Sequence, residues 1–124
     1  MLDDFDRILP SAITDVAVRS GNEWVIPLPE VKQAINLATE HLIAVLGVES
    51  FRFLENGLLG VESYTGYAFD LPGDWATYVR QNNDASLRFI EENQLGKGYG
   101  YILSTCSEGE FKNLEMSKQI PDTT

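Results

Sequence analysis

The feature that most constrains the fold is the pair Asn56-Gly57, which lies between two runs of strand-forming residues. Asn-Gly strongly favours a two-residue hairpin turn, because a type I′ turn needs positive φ at both central residues. We therefore predict an antiparallel hairpin with strands at 48–55 and 58–65. Within it, the aromatic positions of the first strand and Leu59 and Val61 of the second should share one apolar face.

An amphipathic helix should precede this hairpin, over residues 29–46. Pro29 suits a first helical turn, and Gly47 suits the position just past a helix end. Apolar residues recur between them at three-to-four spacing and form one stripe: Val31, Ala34, Ile35, Ala38, Leu42, Val45 and Leu46. This stripe should pack against the sheet.

A second helical region is predicted over 75–93, with Asp74 as its N-cap. The polar run Asn82-Asn83-Asp84 indicates a break, with Asp84 capping a second helix. A third strand should follow at 101–105.

Three further predictions concern the C-terminal and N-terminal parts of the chain. Ser107 with Glu110 forms a capping-box pattern, so a last helix should run to about Lys118. Residues 3–8 should form one or two helical turns. Residues 13–18 and 23–28 could form a hairpin, or a short helix followed by a strand.

Together these elements predict one α+β domain over residues 1–124, with a small antiparallel sheet of three or more strands packed against helices. The chain has a formal net charge of −10 and a single cysteine. An intramolecular disulfide and a cysteine-rich zinc site are therefore excluded. The acidic N-terminus is unlike a signal peptide, so we expect a cytoplasmic protein.

The acidic charge argues against nucleic acid and anionic membranes as partners and favours a basic protein. Acidity that serves solubility alone explains the same charge. Acids clustered on one face around Tyr67 and Trp75 would indicate a partner, whereas scattered acids would indicate solubility.

No residue pattern indicates catalysis, a metal site or a cofactor. His41 has no second histidine nearby and is expected to be a partly buried helix residue. Cys106 is expected to be a structural thiol, since Glu108 and Glu110 would oppose a thiolate. The glycines at 96, 98 and 100 precede a strand instead of opening a helix, so they do not form a phosphate loop. We expect a protein that is not an enzyme.

Aromatic and acidic residues around the hairpin are the best candidates for partner contacts. Aromatic side chains ringed by carboxylates are typical of protein-binding hot spots. Some of these aromatics could instead pack the sheet beneath the 75–93 segment. The candidate partner-binding residues are Glu62, Tyr64, Tyr67, Asp70, Asp74, Trp75 and Tyr78.

The order of motifs over residues 28–93 resembles the small immunity proteins of bacterial polymorphic toxin systems. An amphipathic helix leads into Ile43-Ala44-Val45-Leu46-Gly47-Val48-Glu49, then a hairpin, Tyr64-Thr65-Gly66-Tyr67, and a helix led by Trp75. Gly47-Val48 stands where the family often has Gly-Gly, and Gly66-Tyr67 where it has Asn-Trp. The resemblance implies a cytoplasmic inhibitor that binds a toxin domain tightly.

The leading hypothesis is thus an immunity-type inhibitor of a cognate, basic toxin. One alternative is a structural or regulatory homo-oligomer that uses the edge strand at 99–105 or the aromatic surface. Another is a small ligand-binding domain, which needs a concave site with converging polar groups.

Overall fold

The computed structural model describes residues 4–65 and 74–112, and it has the predicted α+β class. In chain order the elements are α1 (Asp4–Ile8), α2 (Ser11–Thr14), β1 (Val18–Ser20), β2 (Glu23–Val25), α3 (Glu30–Glu40), β3 (Ile43–Leu54), β4 (Gly57–Thr65), α4 (Trp75–Glu92) and β5 (Tyr99–Ser107). The larger sheet is antiparallel in the order β4-β3-β5, so β3 is its central strand.

The predicted β3–β4 hairpin is confirmed, but its turn lies one residue earlier than predicted. Leu54 pairs with Gly57, so Glu55 and Asn56 are the central residues. Neither of them has positive φ, whereas Gly57 does, at 151°. The prediction of a type I′ turn is therefore wrong. Asn-Gly still marks the turn, because glycine takes the backbone conformation at which β4 begins.

The helix predicted over 29–46 is too long, because α3 ends at Glu40 and β3 begins at Ile43. The chain reverses at Leu42, which takes a left-handed conformation with φ of 56°. The next residues are buried on both faces of β3, so their apolar run lacks the alternation of a half-buried strand. Such a run looks the same in a buried helix and in a buried strand.

Helix α4 is continuous, so the predicted break at Asn82-Asn83-Asp84 is wrong. Its predicted N-cap is confirmed, since the Asp74 carboxylate accepts a hydrogen bond from the Thr77 backbone N–H at 2.8 Å. The asparagines do not end the helix, because their amides face the protein interior. Asn83 accepts from the Val45 N–H at 2.7 Å and donates to the Ile43 carbonyl at 3.0 Å.

Two clusters of buried side chains form the core. The larger joins α1, α2, α3 and the end of α4 to the sheet, with Ile35, Val48, Ile90 and Tyr101 among its members. The smaller consists of Ala44, Trp75, Tyr78, Val79, Cys106 and Phe111. Helix α4 lies against the start of β3, before the pairing with β4 begins at Gly47, since the Asn83 amide bonds to Ile43 and Val45.

Near the N-terminus, the structure contains both alternatives left open by the sequence. The short helix α2 is followed by the β1–β2 hairpin. Ile26 then exchanges two backbone hydrogen bonds with Tyr101, of 2.8 and 2.9 Å, and so covers part of the β5 edge. The predicted helical turn at the N-terminus and the predicted third strand are confirmed as α1 and β5.

The capping box at the end of β5 is also confirmed. Ser107 donates its backbone N–H to Glu110 at 2.8 Å, and its hydroxyl accepts from the Glu110 N–H at 3.2 Å. Residues 108–112 are helical, and the predicted continuation to Lys118 lies outside the described residues.

Candidate functional site

The outer strand of the hairpin, β4, is the most exposed strand of the larger sheet. Leu59 and Val61 are 51% and 43% exposed, and Leu54 at the end of β3 is 47% exposed. The prediction that Leu59 and Val61 continue a buried apolar face is therefore wrong. Apolar side chains this exposed on neighbouring strands mark a candidate contact surface.

Carboxylates surround these apolar side chains. Glu49, Glu55 and Glu62 are exposed, and none of them takes part in the ion pairs found among the described residues. We call Glu49, Glu55, Leu59, Val61 and Glu62 the hairpin surface. The exposed Arg52 pairs with Leu59, so the three carboxylates leave this part of the hairpin with a net negative charge, which suits a basic protein partner.

A β-bulge gives the hairpin surface its shape. Ser50 pairs with Glu62 and Phe51 pairs with Gly60, which leaves Val61 without a partner on β3. The Ser50 hydroxyl accepts from the Glu62 N–H at 3.0 Å and donates to the Glu62 carbonyl at 3.2 Å. Ser50 is buried, so these bonds hold the bulge in one conformation.

The bulge opens a shallow hollow of about 280 Å³, lined by Glu49, Ser50, Gly60, Val61, Glu62 and Ser63. Glu62 pairs with Ser50 and Glu49 pairs with Ser63, so the two glutamates border this depression from opposite faces of the sheet. The hollow can accept one long basic side chain, with its charge near one of these carboxylates and its alkyl stem against Val61.

The predicted partner-binding residues do not all lie on this surface. Glu62 does, and Tyr64 is half-buried and stacks on Phe89 of α4, with ring centroids 5.7 Å apart. Asp74 is exposed but caps α4, and the hydrogen bond from the Thr77 backbone N–H lowers its pKa. Tyr67 and Asp70 lie outside the described residues.

Trp75 and Tyr78 belong to the smaller core cluster, with exposures of 7% and 1%. The Trp75 indole N–H donates to the Leu42 carbonyl at 2.6 Å, and its ring lies 5.4 Å from Phe111. These two side chains hold α4 on the sheet and are not available on the surface. Trp75 and Tyr78 thus follow the alternative stated above, in which some of the aromatics pack against the sheet beneath the 75–93 segment.

Sequence reasoning missed Glu49, Glu55, Leu59 and Val61 as surface candidates. Leu59 and Val61 were predicted to be buried, because leucine and β-branched residues in a hairpin usually point toward the hydrophobic core. The available signal was the short sequence of β4, Gly-Leu-Leu-Gly-Val-Glu-Ser-Tyr-Thr, which lacks regular alternation of apolar and polar residues.

The potential catalytic residues lie apart from the hairpin surface. His41 is exposed at the C-cap of α3, so its prediction as a partly buried helix residue is wrong. Cys106 is buried, and burial, reinforced by the charge of Glu110, raises the pKa of its thiol to about 11. Both observations agree with a structural thiol. No three metal-binding side chains converge among residues 4–65 and 74–112.

The glycines before β5 have backbone roles. Gly98 has φ of 88°, and its carbonyl accepts the Phe53 N–H at 2.7 Å. A Cβ atom on Gly100 would lie 2.6 Å from Val25 Cγ1, so this position needs glycine for close packing. These contacts explain Gly98 and Gly100 without a phosphate ligand.

A second hollow, of about 170 Å³, lies between the N-terminal segment and β5 and includes Asp6, Trp24 and Ser104. Here the charge of Asp6 is compensated, because Arg19 lies 3.7 Å from it, while Glu23 also lines the hollow. The Arg19 guanidinium also lies 4.7 Å from the centre of the Trp24 ring. This hollow is therefore a weaker site for a basic group than the one on the hairpin.

The acidic residues as a whole are spread over the described elements, from Asp4 on α1 to Glu110 after β5. Their distribution is that expected of charge serving solubility. Net charge alone therefore does not locate a partner, and the hairpin surface is distinguished by its exposed apolar residues together with unpaired carboxylates.

Comparisons with protein-family models, with curated proteins and with solved structures found nothing that matches this chain. Within the described part of the chain, no helix has the length and apolar character needed to cross a membrane.

Proposed function

We propose that the chain is a non-catalytic protein-binding module, acting as a cytoplasmic immunity-type inhibitor that neutralises a cognate basic toxin by direct binding. The observation that carries this proposal is the hairpin surface, where Leu59 and Val61 are exposed beside Glu49 and Glu62. An apolar centre supplies affinity, and the surrounding carboxylates select a basic partner and speed its encounter.

Neither alternative fits the described surface as well. Ligand pockets usually measure about 300–1,000 Å³ and enclose most of their ligand, whereas the hairpin hollow measures about 280 Å³ and is shallow. A homo-oligomer would bring two chains with a net charge of −10 together. Like charges across an interface oppose such an association.

The test is affinity capture from the native cytoplasm with three matched baits. They are the wild-type chain, the double variant Glu49→Lys/Glu62→Lys, and the control variant Asp84→Lys/Glu92→Lys. The control changes the net charge equally at two exposed positions of α4. Each capture is made at low and at high salt, with mass spectrometry as the readout.

We expect one dominant basic protein to be retained by the wild-type and control baits at low salt and weakened at high salt. The hairpin variant should bind it about tenfold less tightly or worse, since two contacts to charged groups are lost. Expression of the captured protein alone should arrest growth, and co-expression of the wild-type chain should restore it. Equal capture by all three baits, or a captured protein that is harmless, would contradict the proposal.

A further inference from the structure

The two outer edges of the larger sheet are treated differently by the fold. At the β5 edge, Ile26 exchanges two backbone hydrogen bonds with Tyr101, and Pro27 follows. At the other edge, β4 pairs with β3 and with no further strand among the described residues. The unpaired backbone groups of an edge strand are a template for another strand.

The sequence of β4 offers little protection against such pairing. Proteins commonly protect an exposed edge with proline or lysine, and Gly57–Thr65 contains neither. The protective features of this strand are the charge of Glu62 and the bulge at Val61, whose geometry the buried Ser50 hydroxyl fixes. The strand therefore presents a fixed and accessible edge on each side of the bulge.

The charges select the kind of strand that fits. Glu62 lies on β4 itself, and Glu49 borders the same hollow from β3. A second copy of β4 would bring another glutamate to this edge, whereas a basic strand would bring the opposite charge. Charge complementarity thus favours an extended segment containing lysine or arginine.

We infer that an extended basic segment of the partner adds to β4 as a fourth strand and places one lysine or arginine beside Glu62, where that carboxylate borders the hollow. This inference rests on the proposed function and specifies how that function is carried out. Main-chain hydrogen bonds along the edge supply affinity, and the hollow supplies selectivity for a basic side chain.

The test uses a synthetic nine-residue peptide of alternating threonine and lysine with blocked termini, matched to the nine residues of β4. One control peptide is identical but methylated on every backbone nitrogen, so it keeps its charge and cannot pair as a strand. A second control peptide carries glutamate in place of lysine. Binding to the full chain is followed by amide hydrogen exchange, with light scattering recorded in parallel.

We expect the lysine peptide to slow exchange in β4 by about tenfold or more and both control peptides to leave it unchanged. The isosteric variant Glu49→Gln/Glu62→Gln should weaken the effect. Equal protection by the methylated peptide would overturn strand addition while leaving the proposed function intact. No protection at millimolar peptide, or a dimer whose β4 is protected without peptide, would also overturn it. The capture experiment tests the proposed function separately.

Discussion

Asn83 takes the place of a neighbouring strand at the start of β3. Pairing with β4 reaches only as far as Gly47 with Thr65, so the preceding residues of β3 need other partners on that side. The Asn83 amide bonds to Val45 and Ile43, and it also donates to the Thr39 hydroxyl at 2.8 Å. One side chain thus connects α3, α4 and β3.

Its neighbour Asn82 is also buried, but the side chain of Asn82 makes fewer hydrogen bonds. Asn82 donates to the Tyr78 carbonyl at 2.9 Å, and its side-chain oxygen has no hydrogen-bond partner among the described residues. A buried acceptor without a partner is destabilising. Two adjacent residues of the same type therefore contribute differently to stability.

We predict that Asn83→Leu lowers the free energy of unfolding by about 3 kcal/mol, because it leaves two buried backbone groups without partners. Asn82→Leu should lower it by less than about 1 kcal/mol, or raise it, since it removes an unsatisfied oxygen. Urea denaturation of both variants against wild type measures the difference. Equal losses would contradict this assignment of roles.

Asn82 and Asn83 also show why the sequence alone predicted a break in α4. Asparagine favours turns because its side chain bonds to nearby backbone, and that local preference predicted a break at Asn82-Asn83. In the fold the Asn83 amide bonds to residues about 40 positions earlier in the chain. The turn preference of asparagine reflects only nearby residues, so it cannot predict a hydrogen bond to a distant strand.

At the scale of elements, the change from α3 to β3 depends on Leu42. Helices commonly end with a residue in the left-handed conformation. This residue is usually glycine, because in other residues the Cβ atom comes too close to the backbone carbonyl oxygen. Leu42 adopts this conformation with a side chain that is 48% exposed. The strain at this position is thus not offset by full burial of the leucine.

We predict that Leu42→Gly raises the free energy of unfolding by up to about 1 kcal/mol, because glycine takes positive φ without strain. Leu42→Ala is the matched control, since it removes the same side chain and keeps the Cβ. Both variants keep the carbonyl that accepts the Trp75 N–H. Thermal and urea unfolding would contradict the prediction if Gly and Ala had the same effect.

The elements differ in how far the sequence could predict them. The hairpin and the Asp74 and Ser107 caps depend on local chemistry, and the structure contains all three. The end of α3 was missed because residues 43–45 are buried on both sides, which removes the period of two. Local signals therefore succeed where an element is half-exposed and fail where it is fully enclosed.

At the scale of the whole molecule, the α+β class follows from the hydrophobic pattern, whereas the candidate site depends on packing. The sequence placed Trp75 and Tyr78 on the surface and Leu59 and Val61 inside, and the structure reverses both. Helix α4 buries its aromatics near the start of β3 and reaches β4 only at Tyr64, so Leu59 and Val61 farther along the hairpin stay exposed. That packing depends on residues from several elements, so no single segment of the sequence predicts it.

The exposed β4 edge has a consequence for the molecule as pH falls. The net charge of −10 keeps copies apart at neutral pH, and this repulsion disappears near the isoelectric point of about 4.3. We predict self-association near pH 4.3 through β4, where Val61 is 43% exposed. Light scattering should give a monomer at pH 7 and larger species at the lower pH.

Val61→Lys should reduce association at pH 4.3 several-fold, because a charged lysine at an edge strand opposes pairing with another strand. Val16→Lys is the matched control, since Val16 is similarly exposed, at 47%, and lies outside the larger sheet. Both variants gain the same charge, so a general effect of net charge would suppress association equally. Only a protective effect larger at Val61 than at Val16 supports β4 as the edge through which copies of the chain meet.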